Sequence, residues 1–317
     1  MKRTGIGYCL ALLVFIALLP RFGMTEERVV YAYTHNGYQA TMLEKHWNSF
    51  NHTHSGYDTP EAFLQYAAEA MERIVQWGGG TRRLNGYREA GSDVILSVQF
   101  ITTSGMSHVV SSNYGKEKQM AVVALKDGYL AYHLAPVIHE LTHVVYQPAY
   151  SRTLREGLAS YVQDELGEYG VVHNYGLNPH EICQNVIVPL ESNRNLFGVV
   201  GSMNSGKTTS MEQRSAFYIA SYSFMAYLIE TYGIEISLAI YSSMDEDVYA
   251  EQTGKTLEEI REEWLIYLKQ YESSFSMEDI RRHTYDLAIR HGIPEAEAGS
   301  FSEAACRMYG SVPAAEM

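Results

Sequence analysis

At 317 residues the chain has room for one large or two modest domains, and 46% hydrophobic with 19% charged residues is the profile of a folded globular protein. A formal net charge of −13 argues against a general nucleic-acid binder, whose affinity rests on Lys and Arg neutralising phosphates, so no nucleic-acid partner is expected. The three cysteines contain no C-x-x-C, which excludes a cysteine zinc site or a thioredoxin-type motif.

The N-terminus carries Lys2 and Arg3, then an uncharged run from Ile6 to Leu19 that Pro20 breaks. That order is the pattern of a secretory signal, assigned to residues 1–24, and it predicts a secreted or extracytoplasmic protein. The run falls short of the roughly 20 apolar residues that span a bilayer comfortably. No A-x-A-like triplet follows it, so an uncleaved anchor over residues 6–19 is one alternative, and the only membrane contact expected; a buried N-terminal helix of a cytosolic protein is the other. Cys9 lies inside the run; Cys183 and Cys306 could form one disulfide in an oxidising compartment, but two cysteines do not establish it.

Residues 28–58 give no firm assignment beyond a strand over Val29–Thr34, and Asn51-His52-Thr53 matches a glycosylation sequon. Thr59 and Pro60 open a helix as N-cap and first helical residue; Phe63, Ala67, Ala70, Ile74 and Trp77 recur at helical spacing until Gly78. Val94–Phe100 reads as a strand, 104–118 as a loop, and Met120–Leu125 as a second strand closed by Asp127-Gly128. Helices are expected over 154–166, Arg214–Tyr232, Ile234–Tyr241 and Thr256–Tyr271, the last with a capping box from Thr256 to Glu259. Residues 167–210 read as irregular and the tail from Phe275 as short helices. The expected fold is α+β, with a small mixed N-terminal sheet and a mostly helical C-terminal part. Residues 28–275 would form the main domain and 276–317 a helical tail.

The stretch Val137-Ile138-His139-Glu140-Leu141-Thr142-His143-Val144-Val145 sets three polar groups in an oily segment. On a helix, His139 and His143 share a face about 6 Å apart and can converge on one metal ion, with Glu140 to the side, where it can take a proton from water. This is the H-E-x-x-H arrangement of metallopeptidases. A buried pair of satisfied core histidines is the competing reading. A catalytic zinc takes three protein ligands and keeps one position open. Glu156, in Leu154-Arg155-Glu156-Gly157-Leu158-Ala159-Ser160-Tyr161, is the candidate third ligand. Gly157 and Ala159 would let its helix pack closely on the one carrying the histidines. The competing reading pairs Glu156 with Arg152 or Arg155 at the surface.

HELTH followed by LREGLASY resembles the gluzincin metallopeptidases, and the short gap between the two segments looks most like the peptidase MA-like group. RSAFYIASYSFMAYLIETYG resembles that group's apolar helix after the active site, and TGKTLEEIREEWLIYLKQY its closing amphipathic helix. The resemblance spans roughly residues 60 to 271 and implies a zincin-like fold, one Zn²⁺ held by His139, His143 and Glu156, and Glu140 as general base. It implies a monomeric endopeptidase acting on a peptide or protein substrate. Many gluzincins have an Asp four residues after the ligand Glu; here Ser160 stands there. The G-x-M-E-N segment of the aminopeptidase branch is missing, so aminopeptidase activity is not implied. Tyr218 and Tyr222, with Tyr161, are candidates for stabilising the oxyanion, each with packing as the alternative. The strand Met120–Leu125 could pair with an extended peptide.

Gly201-Ser202-Met203-Asn204-Ser205-Gly206-Lys207-Thr208 satisfies the phosphate-loop pattern, and makes a nucleotide-binding protein the rival function. Its context is poor, because a nearly all-helical pattern follows where several parallel strands are required. A non-catalytic binding module that keeps the zincin shape is the third reading.

Overall fold

The computed structural model describes residues 30–50, 57–80, 93–110, 120–127, 135–146, 151–167, 176–189, 211–273 and 276–310. The signal over 1–24, the sequon at Asn51 and the segment Gly201–Thr208 lie outside them. Among the described residues no helix is long and apolar enough to cross a membrane.

The architecture is α+β, a small mixed sheet followed by a mostly helical remainder. Strands β1 (Val30–His35) and β2 (Tyr38–Leu43) form a hairpin whose tight turn places Asn36 and Gly37 at φ 47° and 86°. An Asn-Gly pair is the sequence that such a turn demands, because both central residues take positive φ. β2 runs parallel to β3 (Leu96–Thr103), and β3 parallel to β5 (Met120–Lys126). A short strand β4 (His108–Val110) then lies antiparallel on the outer side of β5. The sheet order is β1-β2-β3-β5-β4.

Two sequence expectations change here. The loop expected over 104–118 contains β4, and β5 is an internal strand. With β3 on one side and β4 facing Val122–Ala124 on the other, β5 offers no free edge there; the edge belongs to β4. Parallel pairing of β2 with β3 needs a crossover. Helix α1 (Glu44–Trp47) and the long α2 (Pro60–Trp77) supply it. Thr59 caps α2 by accepting the Ala62 N–H, and Phe63, Leu64, Ala67, Met71 and Ile74 are fully buried beneath the sheet.

Helix α3 (Val137–Val145) packs on α2, and α4 (Arg152–Leu166) packs on α3. Helix α5 (Pro179–Ile182) and a wide turn over Cys183–Ile187 interrupt the region read as irregular. The long α6 (Met211–Tyr232) runs against α4 and continues into α7 (Ile234–Tyr241), α8 (Asp247–Thr253) and α9 (Leu257–Leu268). The capping box expected at Thr256 and Glu259 is present. The tail is two helices of ordinary length rather than short ones: α10 (Met277–Arg290) and α11 (Glu295–Gly310) pack on each other, and Ile280 and Cys306 join the main core. Cys183 and Cys306 are both buried thiols.

Gly157 determines how closely α4 and α6 approach. A Cβ at that position would lie 2.3 Å from the Ser221 carbonyl oxygen and 2.9 Å from Met225 Cβ. The small residue was expected to seat α4 on the histidine helix, but it faces α6 instead. Because the obstructing atom is backbone, it cannot rotate away. Gly157→Ala is expected to push α4 off α6 and destabilise the fold by about 1–3 kcal/mol, measured by urea denaturation.

Candidate metal centre

Helix α3 begins without a side-chain cap, since Pro136 occupies the N-cap position. Its early N–H groups therefore need partners from elsewhere. Gln163, two turns beyond Glu156 on α4, provides one: its Oε1 accepts the His139 N–H at 3.1 Å. Val137, Ile138, Leu141, Val144 and Val145 are buried around the helix. That packing fixes its rotation, so that His139 and His143 face α4.

The imidazoles meet Glu156 there. His139 Nε2 and His143 Nε2 are 3.2 Å apart, and Glu156 Oε2 lies 3.5 Å from the first and 3.4 Å from the second. A tetrahedral zinc with bonds of about 2.0–2.1 Å holds its ligand atoms about 3.3 Å apart. The triangle of donor atoms matches one face of such a tetrahedron, and the group can hold a metal ion. Glu156 Oε1 turns the other way, accepting Arg155 Nε and Nη2 at 3.3 Å each. The surface pairing weighed against a ligand role therefore exists together with it, one oxygen for each.

Burial is deep throughout: His139 is 5%, Glu140 4% and Glu156 6% exposed. Desolvation alone would raise the Glu156 carboxyl, but the charge of His143 and hydrogen bonds from both histidines outweigh it and hold the group well below its ordinary value. Burial likewise pulls the His143 imidazole down, and the Glu156 carboxylate reverses that into a net rise. Glu140 has no such contact. Burial pushes its carboxyl up, only partly offset by His139 and His143.

Tyr218 and Tyr222 separate. The Tyr218 ring lies 6.3 Å from that of His139. Burial raises its hydroxyl pKa, Glu156 and Glu140 add to the rise, and a hydrogen bond from Arg152 opposes it. Tyr222 donates its hydroxyl to Asp164 and stacks edge-on against Tyr161 at 6.2 Å. The structure brings Tyr218 to the metal group and ties Tyr222 to α4 further along. Tyr161 packs between Trp77 and Tyr222, its hydroxyl pushed up to about 12 by burial.

Ser160 stands four residues after Glu156, about one helical turn along α4. Its Oγ is buried without a partner among the described residues, as is His143 Nδ1. The support behind His143 is thus thinner than that behind Glu156. Gln163 and His108 were not anticipated, and Arg155 was anticipated only as a surface partner that would replace the ligand role of Glu156. The His108 ring sits on β4 with Nδ1 2.8 Å from the Met106 carbonyl, and its charge acts on Glu140. A polar residue inside a stretch read as loop gave no signal of this.

A second cluster has the residue types of a nucleophilic site. Ser223 Oγ lies 2.9 Å from His180 Nδ1, and His180 Nε2 lies 3.3 Å from Glu230 Oε2. Ser223 is fully buried and accepts the Trp264 indole N–H at 3.1 Å, so no substrate reaches it. The cluster ties α5, α6 and α9 together.

The Gln163 contact is testable by a near-isosteric change. Gln163→Met leaves the buried His139 N–H unpaired and is expected to destabilise the fold by about 1–3 kcal/mol in urea. By loosening the start of α3 it should also weaken divalent-metal binding about ten- to hundredfold, measured by competition with a chromophoric chelator.

Compared with known proteins, the chain matches no family model, no characterised protein and no solved structure. Its functional reading therefore rests on the donor group His139, His143 and Glu156 and on what surrounds it.

Proposed function

We propose that this protein is an exported zinc-dependent endopeptidase of the gluzincin kind, with a zincin-like fold, acting as a monomer on a peptide or protein substrate. The observation that carries the reading is the convergence of His139 Nε2, His143 Nε2 and Glu156 Oε2, at 3.2, 3.4 and 3.5 Å, with buried Glu140 next in sequence to a ligand. Two imidazole nitrogens and one carboxylate oxygen are a donor set suited to a catalytic zinc with a position left open. When bound, zinc supplies Lewis acidity: it polarises a carbonyl and lowers the pKa of water towards neutrality.

The chain's own groups have separable tasks. Glu140 takes a proton from the attacking water and passes it to the leaving amine; burial raises its carboxyl and so makes it a stronger proton acceptor. Tyr218 keeps its proton, because burial and two carboxylates oppose its ionisation, and can donate a hydrogen bond to the oxyanion that develops on the substrate. The edge strand β4 offers main-chain groups to an extended peptide. Residues 1–24 would direct export, with membrane contact only if residues 6–19 remain as an anchor. The net charge of −13 supports the absence of a nucleic-acid partner.

Metal analysis paired with a peptide-library digest tests this. The wild type should retain about one zinc per chain and cut peptides, and Glu156→Gln should lose the metal. Glu140→Gln should keep the metal while kcat falls about 10²–10⁴-fold; unchanged cutting by that variant would sink the reading. Tyr218→Phe should lower kcat about 10²–10³-fold in steady-state assays with little change in KM. Tyr222→Phe should leave kcat alone and lower stability by about 1 kcal/mol in thermal melts.

A further inference from the structure

Two arginines share α4 with Glu156. Arg152 is the first residue of the helix and Arg155 follows one turn later, so their side chains are neighbours on one face. The first turn holds no acidic residue. Cations at a helix N-terminus oppose the helix dipole, so this placement works against stability, in a chain whose formal charge is −13.

Their contacts lead to the metal group. Arg155 donates Nε–H and one Nη2–H to Glu156 Oε1, and Oε2 of that carboxylate faces both histidines. A guanidinium carries five N–H donors in a rigid plane. Two are used on Glu156, and the others have no acceptor among the described residues; the side chain is 36% exposed. One edge is thus fixed against a metal ligand and the other is presented outward. Arg152 lies 4.7 Å over the Phe217 ring and hydrogen-bonds Tyr218, the tyrosine beside His139. Both guanidiniums are held in place by groups that border the donor triangle. A held, partly exposed guanidinium edge is the geometry that binds carboxylates in a bidentate manner.

We propose that the outward edge of Arg155, with Arg152 beside it, binds a carboxylate of the substrate close to the bond that is cut. This deepens the peptidase reading and rests on it: the substrates favoured are peptides carrying Asp or Glu, or a free C-terminus, near the scissile bond. A rim of this kind gathers anionic peptides locally although the whole molecule repels them.

The test uses full-length, zinc-loaded Glu140→Gln protein, so that binding is read without turnover. Alanine-based hexapeptides carry Glu or Gln at each position in turn, with the C-terminus free or amidated, and calorimetry gives their affinities. At one position the Glu peptide is expected to bind about ten- to hundredfold more tightly than its Gln counterpart, a preference that shrinks as salt rises. A loss confined to the amidated series would identify the C-terminal carboxylate as the group bound. Adding Arg155→Lys, which keeps the charge but not the fork, should remove most of the preference in samples matched for circular dichroism and for zinc content. Adding Arg152→Gln should reduce it. Equal affinity for every Glu/Gln and acid/amide pair, or a preference that survives both substitutions, overturns the proposal and leaves Arg155 as a positioning residue for Glu156 alone. If carboxylate-bearing peptides bind preferentially but the wild type cuts none of them, the peptidase reading fails and the carboxylate site stands.

Discussion

The place where α4 lies between α3 and α6 decides whether a metal-holding group exists at all. On one side Gly157 lets the α6 backbone approach so closely that no Cβ fits. On the other, Gln163 reaches across to the His139 N–H. Glu156 lies next to Gly157 on the same helix, and its carboxylate meets two imidazoles that a separate helix supplies. Three ionisable groups in an apolar interior are costly unless they find one another. A helix displaced by an ångström would break the triangle and leave each group buried alone. Packing and site chemistry are therefore one constraint here, and the residues that enforce it include two with no metal-binding chemistry.

The same burial acts in opposite directions on two neighbouring carboxyls. Glu156 has the charge and hydrogen bonds of both histidines and is held low; Glu140 has proximity without a hydrogen bond from those rings and is pushed up. Pairs of titratable groups whose surroundings drive them apart are a recurrent sign of divided labour, one staying charged and one exchanging a proton. The split follows from helix geometry. Positions 139 and 143 share a face, while position 140 is rotated by roughly 100° and misses the contact that Glu156 makes. A buried pair of satisfied core histidines would not need that carboxylate, and His143 Nδ1 has no partner among the described residues, so the pair is not satisfied in the ordinary sense.

Much of this was legible because it is local. The apolar residues around His139 and His143 fit the helix that α3 forms, and Thr59-Pro60 and Thr256–Glu259 gave helix starts that side-chain caps bear out. The small mixed sheet with a helical remainder was legible too. What escaped was non-local. Asn36-Gly37 is a hairpin signal, yet β2 went unassigned because its alternation is visible only once β1 and β3 flank it. β4 has three residues, too few for a period. That Gly157 faces α6, and that Tyr218 and Tyr222 part company although they are one turn apart, depends on the crossing of α4 and α6, which spacing along one chain does not encode. Arg155 was read as a competitor for Glu156, because one residue was assigned one partner; a carboxylate has two oxygens.

On the peptidase reading, the edge of the sheet would shape what a substrate can gain. β5 is enclosed by β3 and β4, so strand addition on that side falls to β4, which spans only His108–Val110. Short edge strands protect a sheet from pairing with the wrong chains. For a peptidase the same shortness limits the main-chain hydrogen bonds that an extended peptide can form, and those bonds carry no information about side chains. Selectivity on such a scaffold has to come from groups beside the chemistry rather than from a long strand-like track. The described residues place His108 on the sheet side of Glu140, and the two arginines with Tyr218 on the helical side of the donor triangle. On the peptidase reading proposed above, selectivity would rest on these few groups beside the scissile bond.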